Sequence, residues 1–166
     1  WERNEYDYHF SYYGGVWGWA TWSESWDKFD LDMELWENDI VRNRIKDIIS
    51  NEEQFRYLRR VYNQTAKKEN ESWDYAWGFA RHLNNGLSVV PSRNLIKNIG
   101  FGEGATNTQN TNRAFAGKET FNLPFPLTHP PYVAVDREYD RRFHQLRPAR
   151  WKVMPYLHYI VDALDL

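Results

Sequence analysis

The chain has 166 residues, a formal net charge of −2 and no cysteine. That length suits one domain or a piece of one, and the near-neutral, interspersed charge lacks the clustered Lys and Arg that a duplex nucleic-acid binder needs for its phosphate contacts. The missing cysteines exclude a disulfide framework, a thiolate metal site and a cysteine nucleophile, and they point to a reducing, cytoplasmic setting. No apolar run approaches the roughly 20 residues that cross a bilayer, and Trp1-Glu2-Arg3-Asn4-Glu5 is unlike a signal peptide, so a soluble protein is expected. The chain opens without Met, which predicts that its own start lies upstream.

The unusual number is the aromatic content, with nine Trp, eleven Tyr and nine Phe. Tyr6, Tyr8 and Phe10 alternate with polar residues, predicting a half-buried strand stopped at Gly14-Gly15. Residues 21–29 carry Trp22, Trp26 and Phe29 at intervals of four and three, predicting a short helix with these rings on one face. Residues 35–50 keep helical period through Leu35, Trp36, Ile40, Val41, Ile45, Ile48 and Ile49. A second amphipathic helix opens at Asn51 and buries Phe55, Leu58, Val61 and Tyr62.

Ser72 is a good N-cap for a third helix from Trp73 to Leu83, which Asn84-Asn85-Gly86 ends through a left-handed residue. Leu87 to Val90 reads as a strand closed by Pro91. Residues 94–102 read as extended, and residues 103–118, polar and glycine-containing, as a mobile loop. Four prolines at 124, 126, 130 and 131 keep the next stretch extended. Polar residues 136–146 and then residues 151–166 form two final helices. The fold class is therefore α+β, mostly helical with a few short strands, and there is no glycine-rich phosphate loop.

Gly14-Gly15-Val16-Trp17-Gly18-Trp19-Ala20-Thr21-Trp22 is the densest feature. Its three Trp follow neither strand nor helix period, so some rings are expected to line a groove, where indoles stack on sugar C–H faces. The competing account is a packing cluster around a glycine-enforced bend. In Ser72-Trp73-Asp74-Tyr75-Ala76-Trp77 the carboxylate of Asp74 falls in a first helical turn, with Trp73 and Trp77 expected to wall one side. A fixed, partly shielded carboxylate at a groove suits a general base, although dipole compensation alone also explains an Asp there. Asp30-Leu31-Asp32 has the look of a metal motif but follows a helix, so a solvated turn or cap is the preferred reading. The five histidines show no metal spacing, and His129 is the best outside candidate among them.

Four blocks in order resemble one family: Tyr12 to Trp22, Trp73-Asp74-Tyr75-Ala76-Trp77, Asn84 to Pro91, and Asn98 to Thr106. Together they look like the C-terminal, acceptor-side half of bacterial nucleotide-sugar glycosyltransferases of the GT-A fold, and distantly like the N-acetylglucosaminyltransferase I type. The resemblance spans roughly residues 8–135, leaving 136–166 as a C-terminal helical extension. It implies an inverting transferase with Asp74 as catalytic base and Trp17, Gly18, Trp19, Trp22, Trp73, Trp77, Phe101, Gly102, Glu103 and Thr106 around the substrates. It also implies a nucleotide-sugar donor, a glycan or other hydroxyl acceptor, and Mn²⁺ or Mg²⁺ held mainly by an upstream half, with no metal ligand in this chain. Asn107 stands where the family has His, and Gly104 where it has an acidic residue. Without its upstream half the chain is expected to be inactive alone, and an exposed sheet edge makes a homodimer conceivable. The rival from another class is a non-catalytic carbohydrate-binding or interaction module that uses the same aromatics.

Overall fold

The computed structural model describes residues 5–49, 51–70, 72–97, 99 and 118–145. It is α+β and mostly helical, with two short strands. In chain order come β1 (Tyr8–Ser11), α1 (Ser23–Trp26), a 3-10 turn (Glu34–Glu37), α2 (Asp39–Ile49), α3 (Glu52–Ala66), α4 (Trp73–Leu83), β2 (Ser88–Pro91) and α5 (Arg137–Gln145). No helix among the described residues is long and apolar enough to cross a membrane.

The helices α2, α3 and α4 pack around Trp36, which is fully buried and meets Tyr62 at 5.2 Å and Phe79 at 5.7 Å edge-to-face. Its indole N–H donates to Asn63 Oδ1 at 2.8 Å, so burying the ring leaves no polar atom orphaned. Ile45, Ile49, Leu58 and Ala76 complete this core.

Asn38 interrupts the single helix expected over residues 35–50: its backbone is extended, and its side chain accepts from the Ile40 N–H. A 3-10 turn therefore carries Trp36 into the core, and α2 starts afresh at Asp39. Met33, which precedes that turn, takes a left-handed conformation (φ 53°) while only 1% exposed. Burial of its side chain offsets a backbone cost of about 1–2 kcal/mol.

The helix expected over residues 21–29 shrinks to the four residues of α1, and Trp22 stands at its N-cap position, 70% exposed. Helix α3 starts as the sequence predicts, with Asn51 Oδ1 accepting from the Gln54 N–H. Helix α4 spans the expected residues, and Asn85 (φ 53°) supplies the left-handed residue beyond its end. Residues 103–117 and 151–166, read above as a loop and a last helix, lie outside the described residues.

Strands β1 and β2 pair antiparallel with Tyr8 opposite Pro91 and Ser11 opposite Ser88. The strand includes Pro91, one residue past the expected end. On the other edge of β1, Phe10 forms a parallel bridge with Val135, and the Asp136 N–H donates to the Phe10 carbonyl at 2.8 Å. Asp136 then caps α5 by accepting from the Glu138 and Tyr139 N–H groups. The polar sequence of α5 hides a buried seam. Ser11 Oγ donates to Asp140 Oδ1 at 2.5 Å, and Phe143 lies 5.6 Å from Tyr13, so α5 packs directly on β1 and the segment that follows it.

Candidate aromatic and carboxylate site

Positions 73 and 77 are four apart and share one face of α4, as their spacing predicts. That face meets a ring from the glycine-rich segment and two from the α1 region. Trp19 lies 5.6 Å from Trp73 and 5.8 Å from Trp77, while Trp26 lies 5.4 Å from Trp77. Phe29 stacks on Trp26 at 4.6 Å with an interplanar angle of 21°. Five rings thus form one nest, and each well-oriented aromatic pair contributes about 0.5–1.5 kcal/mol beyond its area.

Exposure divides these rings into a floor and an outer wall. Trp77 is buried, and Trp19 half-buried, so both serve packing; Trp73 and Trp26 keep 38% and 40% of their surface open. The turn that feeds the nest depends on Gly18, whose φ of 57° suits glycine and whose missing Cβ would stand 2.6 Å from Ile96 Cγ2. Of the other two Trp expected at the groove, Trp22 stands largely in solvent, 70% exposed, and Trp17 keeps 43% of its surface open. Trp26 and Phe29, absent from the expected site set, belong to the nest; their spacing of three was the signal for it.

Asp74 is half-buried in the first turn of α4. Successive helical residues are about 100° apart, so its carboxylate sits round the helix from Trp73, beside the shared indole face. The N-cap expectation fails in its detail. Ser72 makes no side-chain cap bond; its Oγ donates to Asp74 Oδ1 at 2.5 Å, and its own N–H donates to Asn70 Oδ1 at 2.9 Å. The relay orders one carboxylate oxygen. Among the described residues no arginine holds Asp74.

Phe101, Gly102, Glu103 and Thr106 lie outside the described residues. Asp30 accepts from the Asp32 and Glu34 N–H groups, and Asp32 pairs with Lys68 at 2.5 Å. With those commitments, this acidic pair does not fit a divalent metal held with a nucleotide diphosphate. No group of three His, Asp or Glu gathers as a metal site among the described residues.

His129 Nδ1 lies 2.9 Å from the Tyr8 hydroxyl. His82 is fully enclosed between Tyr62, whose hydroxyl is 2.8 Å from Nδ1, and the Tyr12 carbonyl, 3.1 Å from Nε2. Nε2 therefore carries the proton, and Nδ1 accepts from Tyr62. Burial first, and then the neighbouring Arg81 charge, push His82 down to about 3, so it is neutral and structural.

No protein-family profile, curated protein or solved structure matches this chain.

Proposed function

We propose that the chain is the acceptor-side portion of an inverting, GT-A-type nucleotide-sugar glycosyltransferase, with Asp74 as general base. The observation that carries this reading is the Asp74 carboxylate, half-buried beside partly open indoles, with Oδ1 committed to Ser72. Oδ2 then takes the proton of an acceptor hydroxyl as that oxygen attacks the anomeric carbon. The bond from that carbon to the nucleoside diphosphate breaks, and the configuration inverts. Trp73 and Trp26 offer the exposed indole surface on which an acceptor sugar stacks. An upstream half would supply the nucleotide site and its Mn²⁺ or Mg²⁺.

The second reading, a non-catalytic carbohydrate-binding module, draws on the exposure of Trp22 and Trp17, 70% and 43%. One experiment separates the two. In the full-length protein, Asp74→Asn is expected to cut sugar transfer by about 10² or more at unchanged melting temperature. Near-normal transfer by that variant overturns the assignment of the base. Glycan binding by this chain, together with no transfer by the full-length protein, favours the module.

A further inference from the structure

At the far end of β1 a half-open cavity of about 200 Å³ lies between the strand and the chain that runs from Pro130 to Arg137. Asp7 ties this end of the chain to two neighbouring segments. Its N–H donates to the Thr128 carbonyl at 3.0 Å, its carboxylate accepts from the Thr128 N–H, and its carbonyl accepts from the Ser92 N–H. Five rings line the space, the His9 imidazole among them. Tyr6 and Tyr132 stand at 87° with centroids 6.1 Å apart, and Tyr8 and Phe10 at 89° and 5.8 Å. Two rings at right angles make a corner, so a ligand seated there meets at least one ring face.

Several polar groups around the cavity serve the fold. Ser92 Oγ donates to the Tyr6 carbonyl, the Tyr8 hydroxyl meets His129, and Asp136 Oδ1 caps α5. The Arg137 guanidinium donates to the Ile48 carbonyl and lies over the Tyr12 ring at 4.8 Å, which directs its charge elsewhere. The His9 imidazole of the lining has its ring centroid 4.3 Å from that of Tyr139. What the cavity offers is aromatic surface with the carboxylates of Glu5 and Asp136 among its lining. That combination attracts a compact organic cation, because ring quadrupoles and carboxylate charge both act without strict direction.

We propose that this cavity binds a quaternary or methylated ammonium group, in a site separate from Asp74 and independent of any transferase activity. Choline and tetramethylammonium are the probes, added to the 166-residue chain and followed by NMR shifts of the tyrosine ring signals. The expected result is saturable, millimolar binding that weakens about tenfold in Tyr132→Ala, with Tyr132→Phe near wild type. Tyr132 is 54% exposed, so its truncation is expected to leave the melting temperature in place. The neutral isostere 3,3-dimethylbutan-1-ol is expected to bind about tenfold more weakly than choline. Equal binding of the isostere, equal or tighter binding of methyl glucoside, indifference to Tyr132→Ala, or no saturable shift would each overturn the proposal.

Discussion

The Ser72 hydroxyl donates to Asp74 Oδ1 at 2.5 Å, so the residue at the N-cap position of α4 serves a side chain and leaves the helix end without its usual cap. A side-chain cap is worth about 1 kcal/mol. Ser72→Ala is therefore expected to cost less than about 0.5 kcal/mol in urea denaturation, below the usual capping range. A loss of a full capping energy would show that the hydroxyl supports the helix after all.

The floor and the outer wall of the aromatic nest separate stability from surface chemistry. Trp77 is 7% exposed and touches Trp19, Trp26 and Phe29, so Trp77→Ala is expected to cost about 3–5 kcal/mol. Trp73 keeps 38% of its surface open, and Trp73→Ala is expected to cost clearly less while weakening glycan binding. Equal destabilisation by both variants, with no separate change in binding, would mark the nest as packing alone.

His82 makes the fold sensitive to acid. Its folded value is depressed to about 3 by burial and by Arg81, whereas the unfolded imidazole titrates near its ordinary 6.5. Between those values the unfolded chain binds the additional proton, so this contribution is complete above about pH 6.5 and falls steadily as the pH drops toward 3. At 1.36 kcal/mol per unit the whole window amounts to roughly 4–5 kcal/mol. Guanidinium melts of wild type and His82→Phe across pH 7 to 4.5 check this: the wild type is expected to lose about 2–3 kcal/mol more than the variant.

Asp140 titrates in the opposite sense. Burial raises its carboxyl above the usual range, and the Ser11 hydroxyl and Arg137 only partly oppose that effect. Its charged form is thus costly in the fold above the unfolded value and is relieved as the pH falls through the raised folded value. Ser11→Ala removes a donor from a buried carboxylate and is expected to cost about 1–3 kcal/mol at neutral pH, shrinking on acidification. A penalty independent of pH would assign the loss to packing around Ser11.

Gly18→Ala tests the turn beneath the nest. An added Cβ would meet Ile96 Cγ2 at 2.6 Å in a backbone conformation that L-residues adopt at about 1 kcal/mol or more. The expected outcome is a lower melting temperature and altered Trp fluorescence, since the turn directs Trp19 onto Trp73 and Trp77. Gly15, with open space around it, is the matched control and is expected to accept Ala with little change.

Much of the helical frame was legible in the sequence because its determinants are local. Helical period and the Asn51 cap place α3, and the 73-to-77 spacing puts two indoles on one face of α4. Where a short side chain competes for the backbone, local reading fails. Asn38 splits the expected helix by bonding to Ile40, and Ser72 bonds to Asp74 in preference to the helix end.

What the sequence by itself determined is which segments coil, where Asp74 falls in its helix, and that an excess of aromatic rings must find places to pack. Tertiary structure alone decided that Trp77 sits under Trp19 and Trp26 while Trp22 stands in solvent. It also decided that a serine 129 positions away meets the buried Asp140, and that Tyr6 and Tyr132 close one cavity. The reason is physical: helix formation depends on neighbours within about four residues, whereas burial and ring geometry depend on partners that only the folded chain brings together.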